Sequence, residues 1–76
     1  MISKEEVIEI FKNAALPYRA VPEFWDYDDK FRIKVFGKDS CVLFEHRMIS
    51  ADSMRNEQSL GEFVKEMRHD LGLTET

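Results

Sequence analysis

The sequence predicts an α+β fold: a three-stranded antiparallel sheet flanked in sequence by two helices (αβββα), both packed on one sheet face. Three observations lead there. Two segments carry apolar residues at helical spacing behind capping signals. Lys30–Phe36 alternates apolar and charged residues at the period of a strand. Turn-forming clusters lie on either side of that alternation, at Asp26-Tyr27-Asp28-Asp29 and Gly37-Lys38-Asp39-Ser40.

The first helix opens with Ser3-Lys4-Glu5-Glu6, a capping box in which Ser3 is the N-cap and Glu6 reaches back to it. Ile2 before the cap and Val7 after it suit a hydrophobic staple. Val7, Ile10, Phe11 and Ala14 then mark the inward face. Pro17 biases Leu16 toward extended geometry, so the helix stops near Ala15.

In the strands, Phe31, Ile33 and Val35 share one face and Lys30, Arg32 and Lys34 the other. With Asp26–Asp29 as the turn, Trp25 pairs with Lys30, Phe24 with Phe31 and Glu23 with Arg32. Pro22 then demands that this first strand be an edge. On the far side, pairing Phe36 with Cys41 sets Val35 opposite Val42, Ile33 opposite Phe44 and Arg32 opposite Glu45. Glu23 and Glu45 would thereby flank Arg32.

Residues 50–58 are polar and read as a loop with room for a turn of helix. Ser59-Leu60-Gly61-Glu62 is a second capping box, and Leu60, Phe63, Val64, Met67 and Leu71 form the stripe of the second long helix. Gly72 before Leu73 fits a C-terminal stop, with Thr74-Glu75-Thr76 frayed beyond it.

The 76 residues make one domain, 43% hydrophobic and 34% charged, the balance of a globular chain. Cys41 is the sole cysteine, which excludes an intramolecular disulfide and a cysteine-based zinc site. The N-terminal stretch lacks a signal-peptide core, and no apolar run approaches the ~20 residues that span a bilayer. A cytoplasmic location without a membrane role is the expectation. Net charge is −4, but residues 30–47 carry +3 while residues 16–29 carry −3.

Metal and catalytic readings fare poorly. Asp26 and Asp28 resemble the opening of a calcium loop, yet Lys30 replaces the third ligand, Phe31 the turn glycine and Gly37 the bidentate glutamate. Cys41, His46 and His69 are the only nucleophile or imidazole candidates. The expected register puts His46 on the core side opposite Phe31 and Cys41 on the other face, so they form no pair. No metal, no cofactor and no enzymatic activity are expected.

Binding readings remain. The open sheet face would show Arg19, Val21, Glu23 and Trp25, then Lys30, Arg32, Lys34 and Phe36, then Cys41, Leu43, Glu45 and Arg47. A protein-binding or regulatory module would use Trp25, Tyr27, Asp26, Asp28, Phe36 and Leu43, with an unidentified protein or a second copy as partner. The alternative is single-stranded nucleic acid held by Lys30, Arg32, Lys34 and Arg47, with stacking on Trp25. A bland reading of the same residues is a solvated face with Lys30 and Arg47 near the Trp25 ring.

The order of elements resembles the double-stranded-RNA-binding domain in topology. Those domains clamp phosphates with lysines at the start of the second helix. Here that place reads Asn56-Glu57-Gln58-Ser59-Leu60-Gly61-Glu62, without a lysine.

Overall fold

The computed structural model describes residues 2–73, so the tail expected to fray at 74–76 lies outside the described residues. The elements are α1 (Lys4–Ala14), β1 (Arg19–Trp25), β2 (Lys30–Phe36), β3 (Val42–Ser50), the short α2 (Ala51–Met54) and α3 (Glu57–Asp70). The strands form one antiparallel sheet in the order β1-β2-β3. No helix among the described residues is long and apolar enough to cross a membrane.

The core sits on one side of β2. Phe31, Ile33 and Val35 are fully buried there with Val7 and Phe11 of α1 and Met67 of α3. Phe11 stacks on Phe31 at 5.1 Å between ring centroids and meets Phe63 of α3 edge-on at 5.6 Å. Phe44 of β3 meets Phe63 at 5.9 Å. Both long helices therefore cover the same sheet face. Each fully buried aromatic or aliphatic side chain contributes about 1.5–3 kcal/mol. Along α1 the line of closest packing runs through Val7, Phe11 and Ala15. Ile10, expected inward, flanks that line and is 37% exposed.

Local signals set the element ends. Ser3 Oγ accepts from Glu6 N at 3.2 Å, and Ile2 packs on the cluster that holds Val7. α1 ends at the C-cap Ala15, just before a cis Leu16–Pro17 bond. α3 starts earlier than the Ser59 capping box implied. Asn56 is the N-cap, and its Oδ1 accepts from Ser59 N at 3.1 Å. Asn caps a helix as well as Ser does. Before it, the turn of helix for which the expected loop left room forms as α2, which buries Ala51 and Met54.

The C-terminal stop forms as expected. Gly72 takes φ +73°, Gly72 N donates to His69 O at 3.1 Å and Leu73 N to Arg68 O at 2.7 Å, while Leu73 packs on the core. Two arginines tie distant backbone together. Arg68 donates to Ala14 O and Leu73 O, both at 2.7 Å, closing the ends of α1 and α3 onto each other. Arg55 Nε donates to Ile2 O at 2.8 Å while Ile2 N donates to Arg55 O at 3.0 Å.

The first hairpin has the expected register from Trp25↔Lys30 through Pro22↔Ile33 to Ala20↔Val35. At its tip Asp29 N donates to Asp26 O at 3.0 Å. Both central residues, Tyr27 (φ 57°) and Asp28 (φ 64°), are left-handed, as is Asp26 (φ 55°). That is the handedness a type I′ turn requires. Asp tolerates it through local hydrogen bonding, whereas Tyr27 has no such compensation.

The second hairpin departs from expectation. Phe36 pairs with Val42, Val35 with Phe44, Lys34 with Glu45 and Ile33 with His46, so Glu45 faces Lys34 rather than Arg32. His46 lies opposite Ile33, not Phe31. The slip at Val35 and Ile33 is two residues, which keeps Phe44 and His46 on the core side, since alternation fixes parity and cannot distinguish the two registers; at Phe36 the slip is one residue, and Val42, expected inward, is 49% exposed. The loop explains the slip. Gly37 N donates to Cys41 O at 2.8 Å and Ser40 is left-handed (φ 65°), a three-residue connection followed by a bulge. A second irregularity between Phe31 and Ile33 sets Phe31 opposite Ile49.

Two substitutions test these backbone assignments by thermal melting. Gly72→Ala should destabilise by about 1 kcal/mol, because alanine pays the left-handed penalty at φ +73°. Tyr27→Gly should stabilise by about 0.5–1 kcal/mol, raising Tm by several degrees. A lowered Tm for Tyr27→Gly would show that the tip is unstrained.

Candidate functional site

The uncovered face of the sheet is concave. Val21, Glu23 and Trp25 of β1, Arg32, Lys34 and Phe36 of β2, and Glu45, Arg47 and Met48 of β3 line a groove of about 790 Å³. The first six follow from strand alternation, which puts them opposite Phe31, Ile33 and Val35. Met48 arrives by another route. Regular alternation from Phe44 would send Met48 inward with His46. The irregularity between Phe31 and Ile33 shifts the phase, so Ile49 packs on the core and Met48 is 72% exposed. The apolar phase running Phe44 and then Ile49, from even to odd positions, was the sequence signal for it.

Trp25 is half-buried at one end of the groove. Arg32 lies over its ring at 5.9 Å, in place of the Lys30 or Arg47 expected there. Its indole Nε1 is buried and finds no hydrogen-bond acceptor among the described residues. An orphaned buried donor costs about 1–3 kcal/mol. At the other end, Arg19 lies over the Phe36 ring at 4.9 Å.

The expected sites split into separate places. Trp25 and Phe36 meet in the groove with Arg32, Lys34 and Arg47. Asp26, Tyr27 and Asp28 sit on the hairpin tip, where Tyr27 is 101% exposed. Asp28 is engaged within the fold: Lys4 Nζ donates to its Oδ2 at 2.7 Å, tying the tip to the first turn of α1. Leu43 is outside the groove and rests over Gly37, where an added Cβ would lie 3.2 Å from its Cδ1. Cys41, expected on the open face, is in the loop before β3, and its N–H donates to Asp39 Oδ1 at 3.3 Å.

Every cation of the nucleic-acid alternative has a carboxylate nearby. Lys30 lies 3.5 Å from Asp29, Arg32 3.4 Å from Glu23, Lys34 3.7 Å from Glu45, and Arg47 2.8 Å from the same Glu45. The hydrogen bond from Arg47 holds the Glu45 carboxyl below the usual glutamate range, against the opposing effect of desolvation, and Lys34 adds to the lowering. Asp39 is lowered by its bonds from the Cys41 thiol and N–H. His46 meets Phe44 at 5.0 Å in a tilted contact and Phe63 edge-on at 5.3 Å, and no hydrogen bond joins it to Cys41 or His69 among the described residues. No group of three or more His, Cys, Asp or Glu residues suited to a metal ion occurs among the described residues.

Comparison of the chain with protein-family models, curated proteins and solved structures finds no match in any of the three.

Because the folded-state carboxyl of Glu45 is lowered, its ion pairs contribute above the ordinary glutamate range and are lost as pH falls through the folded value. Arg47→Ala should move the Glu45 titration midpoint upward toward that range, read by NMR of the side-chain carboxyl carbon. An unmoved midpoint would show that Arg47 does not hold the carboxylate.

Proposed function

We propose that the chain is a non-enzymatic protein-binding module that docks a partner in the groove of its open sheet face. One observation carries the reading: a groove of about 790 Å³ in which Val21, Trp25, Phe36 and Met48 lie among charged side chains, on the face that neither long helix covers. Met48 and Val21 are exposed in the free protein beside the half-buried Trp25 and Phe36 rings, and aromatic and methionine side chains are what interface cores use. The orphaned Trp25 N–H supports the same reading, since a sheet kept only for stability gains nothing from it.

The sheet edges support docking on the face over strand addition. β1 carries Pro22, which cannot donate a ladder hydrogen bond. β3 carries two irregularities and the charged Glu45 and Arg47. These are the devices that blunt an edge. The pairing of Arg32 with Glu23 and of Arg47 with Glu45 favours protein over nucleic acid, because phosphate contacts at those two cations would have to displace a carboxylate.

Affinity capture with three baits tests the proposal: the wild-type chain, a Val21→Asp/Met48→Glu variant of the groove, and a Glu62→Lys control on the exposed face of α3. A specific protein should be retained by the wild type and the control and reduced at least about tenfold by the groove variant. Equal retention by all three, or none by any, would defeat the reading.

A further inference from the structure

The cations on the open face are not equally neutralised. Arg32 has Glu23 to itself, whereas Lys34 and Arg47 share Glu45. Arg47 takes the short contact at 2.8 Å and leaves Lys34 at 3.7 Å, beyond hydrogen-bonding distance. An ammonium has three donors to satisfy. Arg19 has no carboxylate within ion-pair distance among the described residues; its guanidinium rests on Phe36. The register brings these two together, because Arg19 pairs with Phe36 and Val21 with Lys34. One end of the groove therefore holds the under-neutralised Lys34, with Arg19 just beyond its lining, over the Phe36 ring. The other end, at Trp25 and Met48, is apolar, with its nearest cation matched by Glu23.

Resting on the docking reading above, we propose that the occupant of the groove is an acidic, apolar peptide segment of another protein. Its carboxylates meet Lys34 and Arg19, and its aliphatic side chains cover Trp25 and Met48. Charge complementarity selects this class. The chain as a whole is −4, so the excess of cations at this end is local and opposes the rest of the surface. A single-stranded nucleic acid would bring a phosphate at every nucleotide against Glu23 and Glu45, with only two cations to receive them. Lys34 already borrows a share of Glu45, and a partner carboxylate at hydrogen-bonding distance would replace a weak contact with a charge-assisted one.

The test uses the full chain and the fluorescence of Trp25, its only tryptophan. Probes are a blocked peptide alternating glutamate and leucine, its lysine–leucine and glutamine–leucine counterparts, and an oligothymidylate, all at low salt. The glutamate peptide should shift Trp25 emission saturably, weaken with added salt, and bind about tenfold less well to Lys34→Gln and to Arg19→Gln. Both substitutions are on exposed positions and should leave the circular dichroism unchanged. Equal binding of the glutamine peptide, with no effect of either variant, would overturn the acidic class while leaving the docking face standing. Tighter binding of the lysine peptide or the oligothymidylate would overturn it too, as would a Trp25 signal that depends on protein concentration alone, the mark of a second copy in the groove. No binding of any probe up to about 1 mM would overturn it as well, and the capture experiment above then decides separately whether the face docks anything.

Discussion

The structure depends on a shortage. A three-stranded sheet has two faces, and this chain has apolar helical surface for only one of them. Phe31, Ile33 and Val35 of the central strand are sealed under Phe11, Met67 and Phe63, with Phe11 stacked on Phe31 as the contact that joins helix, sheet and second helix. Small domains bury a lesser share of their surface than large ones. Here the shortfall is not spread evenly but concentrated on one side. The opposite residues of the same strand, Arg32, Lys34 and Phe36, face solvent because strand parity leaves them nowhere else to go.

Much of this was legible because parity is a local property. The alternation of Lys30–Phe36 named the buried face, and four turn residues with Glu23 opposite Arg32 fixed the first hairpin in its true register. The second hairpin failed because a two-residue slip preserves parity, so Arg32–Glu45 and Lys34–Glu45 pairings look alike in the sequence. What decided between them was a left-handed Ser40, a conformation Ser does not advertise. The helix starting at Glu57 was read one turn late because Asn56 and Ser59 are both competent caps. Arg55 and Arg68 were invisible as structural residues. Their long-range acceptors, Ile2 O and Ala14 O, are backbone carbonyls 53 and 54 positions away, which carry no residue identity to read.

The candidate site was legible to the same depth. Trp25, Phe36, Arg32, Lys34 and Arg47 reach the groove by simple alternation, whereas Met48 reaches it through an irregularity and Leu43 misses it for the same kind of reason. The hairpin tip with Tyr27 and Asp28 is a separate feature, bound to α1 through Lys4. An exposed ion pair of this kind contributes little, about 0–1 kcal/mol, so it orients the tip more than it stabilises it. Within the groove, distances rather than residue types distinguish Lys34 from Arg47, and only folding reveals that two cations share one carboxylate.

The one-sided sheet can be read directly from its methionines. Met48 lies on the open face at 72% exposure, while Met54 of α2 and Met67 of α3 face the core at 2% and 0%. Thioether oxidation follows exposure. Treatment of the folded chain with dilute peroxide, followed by peptide mass spectrometry, should oxidise Met48 at close to the rate of a free methionine and leave Met54 and Met67 protected until the protein unfolds. Protection of Met48 in the monomer, or prompt oxidation of Met67, would contradict the arrangement from which the open groove and its proposed partner both follow.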